Sequence, residues 1–204
     1  MKINRMLGIA AALVVAGSAF AHDRPSNVLF NFDGGIGVQV FRSAAGAPTL
    51  NTVAGVAAAG IPWGMTSFEA VIKANGEIRG HGTGVLLLGG DGIGTRGGPR
   101  QVILSLFCRN EAVAPAVSGS LQATPFNSEP LTLDEDGDFV AHGKLTDATG
   151  ATPPWNCGDS VDNRPVLLVR AVTPANPTTG APASPGPWFA AGVIADKHND
   201  QHGW

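Results

Sequence analysis

Short apolar runs separated by turn residues constrain this chain more than any other feature of its sequence. After residue 21, no segment keeps apolar residues at helical spacing over about 11 positions. Glycine and proline, with 28 and 15 copies among 204 residues, interrupt the chain at short intervals instead. The runs with strand composition are 28–32, 38–41, 68–73, 77–88, 101–109, 138–145, 166–171 and 188–194. Their number and spacing predict an all-β chain, folded as an antiparallel β-sandwich or as a barrel-like single domain.

The turn at Gly76 determines which side chains of its hairpin share a face. A three-residue loop with Gly76 in the left-handed conformation pairs Ile72 with Ile78 and separates apolar from polar residues. A two-residue turn at Asn75 and Gly76 would instead mix the two faces. We therefore expect the three-residue loop, which places His81 on the polar face.

A second hairpin, around Gly137, has the same pattern. With Gly137 as the bulge residue, Leu133 lies opposite Phe139, and His142 falls on the polar face. The segments 76–82 and 137–143 match in residue type at almost every position. This match fits an internal duplication of one hairpin, and it fits two hairpins that obey the same rules equally well.

Residues 1–21 have the features of a secretory signal peptide. Two basic residues precede an apolar run at 6–15, and the segment ends in the small residues Ala19 and Ala21. A membrane anchor would need about 20 apolar residues, and this run is shorter. Cleavage after Ala21 makes His22 the new N-terminus, and the sequence predicts a secreted or periplasmic protein.

The rest of the chain divides into a β-rich domain at 22–194 and a polar C-terminal tail at 195–204. Its two cysteines, Cys108 and Cys157, are expected to form a disulfide, because the compartment beyond the membrane is oxidising. In the chain-entropy account, closing a loop of about 50 residues stabilises the fold by about 4 kcal/mol. We therefore interpret this pair as structural.

Composition argues against a nucleic-acid ligand and against a membrane-spanning mature chain. The formal net charge is −3, so the chain has no basic excess to neutralise a phosphate backbone, and nucleic acid is not expected as a ligand. The long apolar stretch belongs to the signal peptide, so no transmembrane segment is expected in the mature chain. The sequence identifies no other partner and no cofactor.

Several segments together resemble a family of small secreted bacterial proteins of unknown function. These segments are FDGGIG at 32–37, LLGGDGIG at 87–94, LFC at 106–108, DGDF at 136–139, PVLL at 165–168 and WFAAG at 188–192. The resemblance spans most of the mature chain. It implies export and a single domain, and it assigns no catalytic residues.

Three local motifs have the residue spacing of functional sites without the required context. The glycines at 92–97 match a dinucleotide-binding fingerprint, but a proline and a strand follow where a helix is needed. The acidic turn at 134–138 lacks the glycine and glutamate positions of an EF-hand, so a solvated hairpin tip explains it as well as calcium does. The Gly-Asp-Ser at 158–160 lies in a proline-rich loop rather than on an α/β-hydrolase sheet.

The histidines give a sharper hypothesis. Cleavage would leave His22 with a free α-amine beside its imidazole, and this pair chelates Cu²⁺ through two nitrogens. His81 and His142, on polar strand faces, are candidate further ligands, and His198 and His202 also carry imidazoles. Such a site resembles the N-terminal histidine site of secreted copper proteins, including the oxidative polysaccharide-cleaving enzymes.

These observations favour an exported β-domain with a binding or structural role. No nucleophile, base and orienting group are recognisable as a set, so the sequence leaves open whether the protein is an enzyme. The alternative is a copper-binding, oxidative protein that uses His22, with His81 and His142 as additional metal ligands.

Overall fold

The regular secondary-structure elements of the described residues are all β-strands, which hold about half of those residues. The structure, a computed structural model, describes residues 27–42, 45–46, 48–109, 124–158, 164–180 and 183–195. These residues form fifteen strands, and none of them belongs to a helix long and apolar enough to cross a membrane. The predicted signal peptide, His22 and the tail beyond residue 195 lie outside the described residues.

The strands are β1 (Val28–Gly37), β2 (Val40–Arg42), β3 (Pro48–Leu50), β4 (Thr52–Val53), β5 (Val56–Ala57), β6 (Trp63–Gly64), β7 (Ser67–Lys73), β8 (Glu77–Thr83), β9 (Leu86–Leu87), β10 (Gln101–Phe107), β11 (Phe126–Asn127), β12 (Leu131–Thr132), β13 (Phe139–Lys144), β14 (Val166–Thr173) and β15 (Ser184–Ile194).

One antiparallel sheet contains nine of these strands, in the order β11-β10-β14-β15-β1-β7-β8-β13, with β12 also paired to β10. The two ends of this order meet. Asn127 of β11 and Thr146, just after β13, exchange backbone hydrogen bonds of 2.8 and 3.0 Å. The sheet therefore closes almost completely into a barrel. The all-β prediction is confirmed, and of its two forms the barrel is the one observed.

Aromatic side chains fill the interior of this barrel. Gly82 pairs with Phe68 on one side and with Phe139 on the other, so the three residues form one row across β7, β8 and β13. A side chain at Gly82 would overlap the Phe139 ring. Gly192 faces the same space, because a Cβ there would lie 2.8 Å from the Phe68 ring. Glycines thus leave room for the large rings, as close packing requires.

The buried core is continuous around the barrel. Its largest fully buried side chains are Phe68, Phe107, Ile72, Ile78, Leu104, Leu106, Leu145, Leu167, Leu168, Val38, Val85 and Val102. Strand β10 is buried on both faces, since every residue after Gln101 in it is buried. The segment between β1 and β7 pairs with β15 beyond the point where the β1 ladder ends. In it, Val38 and Ala59 donate backbone hydrogen bonds to Phe189 and Trp188 of β15.

The hairpin at Gly76 has the predicted register. Ile72 pairs with Ile78, both side chains are fully buried, and Gly76 has a φ of +79°. His81 is exposed on the opposite face, as expected. The alternation of apolar and polar residues was therefore sufficient to choose between the two turns.

The hairpin at Gly137 has the predicted turn at its tip. Gly137 has a φ of +80°, and Asp134 N donates to Asp138 O at 3.0 Å. The next residue outward, Leu133, donates to Arg100 O just before β10. Successive amides of a strand point to opposite sides, so this bond is compatible with Leu133 lying opposite Phe139, and both side chains are buried.

The predicted strand at 77–88 is two strands rather than one. Gly84 interrupts it with a φ of +64°, and a side chain at this position would overlap the Thr66 hydroxyl. The Gly84 amide donates instead to the Asp138 carboxylate at 2.8 Å. This contact ties the break between β8 and β9 to the hairpin at Gly137.

Adjacent residues of β13 give a direct test of the assigned faces. Phe139 is 3% exposed and Val140 is 58% exposed. Phe139→Ala should reduce the free energy of unfolding by about 3–5 kcal/mol, because it leaves a cavity among the core rings. Val140→Ala, the matched control, should change it by less than about 0.5 kcal/mol. Urea denaturation monitored by circular dichroism measures both, and equal losses in the two variants would contradict the assignment.

Candidate functional site

The outer face of β7, β8 and β13 carries two of the three histidines proposed as metal ligands. His81 lies between Glu69 on β7 and Val140 on β13, whereas His142 pairs with Arg79 on β8. Both histidines are exposed. They occupy diagonal positions on neighbouring strands, and residues in this relation are typically separated by about 7–8 Å. The structure thus brings His81 and His142 to one surface, while His22, the third ligand, lies outside the described residues.

Cations and their counterion occupy the same surface. Arg79, the cross-strand partner of His142, has its Nε 2.7 Å from a Glu77 carboxylate oxygen, and Lys73 Nζ lies 3.1 Å from the other. Hydrogen bonds from Lys73 and then Arg79 hold the pKa of Glu77 below its usual value. Among the described residues, no three His, Cys, Asp or Glu side chains are grouped so that they could hold a metal ion.

The acidic turn at 134–138 uses its carboxylates to hold the backbone. Asp134 Oδ1 accepts hydrogen bonds from the amides of Asp136 and Asp138, at 3.0 and 2.8 Å. An oxygen of Asp138 accepts from the Gly84 amide. These contacts are those of an Asx turn, which explains the acidic residues without a calcium ion.

The glycine-rich loop at 89–98 leads into strand β10, where a dinucleotide site would need a helix. It is folded on itself, because Leu87 donates to Thr95 O at 2.8 Å and Gly94 donates to Leu87 O at 2.9 Å. Ile93 projects from it and is 63% exposed. The loop is therefore an ordered surface feature with an apolar tip.

Two arginines, at positions that no sequence pattern distinguished, stabilise the fold through hydrogen bonds to backbone carbonyl groups. Arg96, only 7% exposed, donates to Pro99 O at 2.6 Å, and its other terminal nitrogen lies 4.0 Å from Glu135. Arg170 donates to Gly186 O at 2.8 Å, and burial lowers its pKa. Both guanidiniums bind backbone carbonyl groups: Arg96 orders the segment before β10, and Arg170 on β14 holds the start of its neighbour β15.

A shallow cleft of about 290 Å³ opens where the glycine-rich loop meets the end of β14. Its lining residues are Gly98, Pro99, Arg100, Gln101, Val172 and Pro174. Of these side chains, the arginine carries the one formal charge. The residues that line the cleft include no pair of nucleophile and base.

The loop from 147 to 158 follows β13 and contains one cysteine of the disulfide. Cys157 forms the predicted disulfide with Cys108 at the end of β10, and both cysteines are fully buried. Two residues earlier, Trp155 is 78% exposed. No pattern in the sequence singled out Trp155. The Gly-Asp-Ser motif that follows lies, except for Gly158, outside the described residues.

A carboxylate orders the first half of the same loop. Asp147 Oδ1 accepts hydrogen bonds from the amide and hydroxyl of Thr149, at 2.8 and 2.7 Å, and from the Ala151 amide at 2.9 Å. These bonds hold the pKa of Asp147 below its ordinary value of 3.8, and the bond from the Thr149 hydroxyl has the largest effect. The charged carboxylate therefore stabilises the folded loop.

No protein family, curated protein or solved structure matches this chain. The resemblance to small secreted bacterial proteins accordingly stays a prediction. Any functional assignment depends on the chemistry of the surfaces described above.

The Asp147 contacts generate a prediction about pH. Because the native pKa of Asp147 is lowered, its stabilising effect is complete well above pH 3.8 and is lost as the pH falls below that value. Asp147→Asn should therefore be less stable than the wild type at pH 7, and this difference should shrink on acidification. Urea denaturation from pH 7 to pH 3 measures it.

A control for that series is Asp91→Asn, in the glycine-rich loop, since no described hydrogen bond involves the Asp91 carboxylate. It should follow the wild type at every pH. A constant difference between wild type and Asp147→Asn across the whole range would contradict the assigned role.

Proposed function

We propose that this protein is an exported binding domain that recognises its ligand on the outer surface of the barrel. The observation that carries this proposal is the exposure of large apolar side chains on loops that are firmly anchored. Leu88, Ile93 and Trp155 are 56%, 63% and 78% exposed. A preorganised loop loses little conformational entropy when a ligand binds, so such loops favour recognition.

The packing of the barrel supports a surface site over an internal one. Four phenylalanine rings, at Phe30, Phe32, Phe68 and Phe139, are buried within it. A barrel of this size has an interior that side chains are able to fill. A ligand therefore has the loops and outer strand faces available to it.

The placement of the titratable residues supports binding over catalysis. His81, His142 and Glu69 are exposed on a strand face, where water surrounds each group. Catalytic sites instead gather an acid, a base or a nucleophile in a concave pocket that excludes water.

Export is supported by three independent features. The first 21 residues have the pattern of a signal peptide. The buried disulfide between Cys108 and Cys157 suits an oxidising compartment. The resemblance to small secreted bacterial proteins also implies a secreted or periplasmic location.

A second candidate function is copper binding centred on His22. The observation that favours it is the diagonal arrangement of His81 and His142 on one outer face. Two imidazoles there, together with the imidazole and α-amine of His22, would give Cu²⁺ the nitrogen ligands that it prefers. The Arg79 guanidinium beside His142 disfavours a cation at this surface.

One preparation tests both candidates. The mature protein, purified from the exporting bacterial host, should bind saturably to insoluble envelope material of that host, and the binding should survive dialysis against EDTA. N-terminal sequencing of the same sample should begin at His22. Failure to bind with saturation would contradict the binding proposal. About one copper per chain, lost in His81→Ala and His142→Ala, would establish the second candidate instead.

A further inference from the structure

Trp155 stands at the corner of a tight turn. Cys157 N donates to Pro154 O at 3.0 Å, so the four residues from Pro154 to Cys157 form a β-turn with Trp155 and Asn156 in its central positions. The Gly158 amide donates to Asn156 O at 2.7 Å and continues the bend. The indole therefore projects from the outermost point of the loop.

Both sides of this turn are fixed to the barrel. Before it, the Thr152 side chain lies over Gly76, since a Cβ on that glycine would be 2.7 Å from Thr152 Cγ2. Pro153 is buried. After it, the disulfide joins Cys157 to the end of β10. The loop that carries Trp155 is therefore held in place before any ligand binds.

The exposure of Trp155 sets it apart from the other tryptophans of the described chain. Trp63 and Trp188 are 4% and 3% exposed, and both belong to the core. Tryptophan is a residue that folding normally removes from water. The indole of Trp155 therefore contributes little to the stability of the fold, and it is accessible to a ligand.

The composition of the chain segment around Trp155 favours a saccharide over a protein partner. Between residues 141 and 158, Trp155 is the one exposed large apolar side chain. Protein interfaces surround a tryptophan anchor with further apolar and aromatic side chains. A sugar ring needs one flat aromatic face and hydrogen-bonding groups beside it, because its C–H groups and hydroxyls are presented on different sides.

The chemistry of the loop also indicates an uncharged ligand. Asp147 is the one charged residue from 145 to 158, and the bonds from Thr149 and Ala151 all go to its Oδ1 atom. The other polar side chains of this stretch are the threonine hydroxyls and the amide of Asn156, which act as both donors and acceptors. These groups suit neutral hydroxyls.

We propose that Trp155 and Asn156 form a binding platform for an uncharged saccharide, with the indole stacked on one pyranose ring. This inference rests on the proposed surface-binding function and names the class of its ligand. Asn156 positions the ring through hydrogen bonds to its hydroxyls.

The test uses the mature protein and four uncharged hexasaccharides, built from β-1,4-linked glucose, α-1,4-linked glucose, β-1,4-linked xylose and β-1,4-linked N-acetylglucosamine. At least one should bind in isothermal titration calorimetry and shift the emission of the exposed tryptophan to shorter wavelength. Trp155→Ala should lower the affinity by about tenfold or more. Trp155→Phe, which keeps an aromatic face, should lose much less.

The control variant is Ile61→Ala, which removes an exposed apolar side chain from the segment between β5 and β6. It should bind as the wild type does, and all three variants should keep the wild-type melting temperature. If Trp155→Ala retains wild-type affinity, or if the protein binds envelope material but none of the four saccharides, this inference is wrong and the surface-binding proposal stands. If the wild type binds neither, the proposed function itself fails.

Discussion

The pair of backbone hydrogen bonds between Asn127 and Thr146 determines the form of the whole sheet. Without them, β11 and β13 would be free edges with unpaired amides and carbonyls, which are prone to aggregation. With them, strands that are distant in sequence enclose a space, and that space must be filled. The rings of Phe68 and Phe139 fill it, and Gly82 between them provides the room.

This closure also positions the surface that we propose to be functional. The loop that begins at Thr146 leaves the barrel at the closing bridge and returns to it at the Cys157 disulfide. Its course therefore depends on two fixed points at the same region of the sheet. Between them, Asp147 and the turn at Pro154 shape the chain so that Trp155 projects into solvent. The packed interior of the barrel and the position of the loop that carries Trp155 both follow from the closure of the sheet.

Local rules were enough to predict the longer strands of the main sheet and the hairpin at Gly76, but not the short strands β3 to β6, β11 and β12. Alternating apolar residues and a glycine that tolerates positive φ defined its register, and two cysteines in a chain with a predicted signal peptide defined the disulfide. Closure was not predictable, since it involves the backbone of Asn127 and Thr146 and leaves no side-chain pattern. The exposure of Trp155 could not be predicted from the sequence either, because tryptophan is buried in most proteins and the geometry of its loop was unknown.

Amide hydrogen exchange at Asn127 and Thr146 tests the closed barrel most directly. Each amide is predicted to donate to the other residue's carbonyl, so both should exchange as slowly as the amides of β10 and β14. The comparison uses one sample of the folded protein, followed by NMR in deuterated buffer. Rapid exchange at both residues, with β7 and β8 still protected, would show an open sheet and contradict this account.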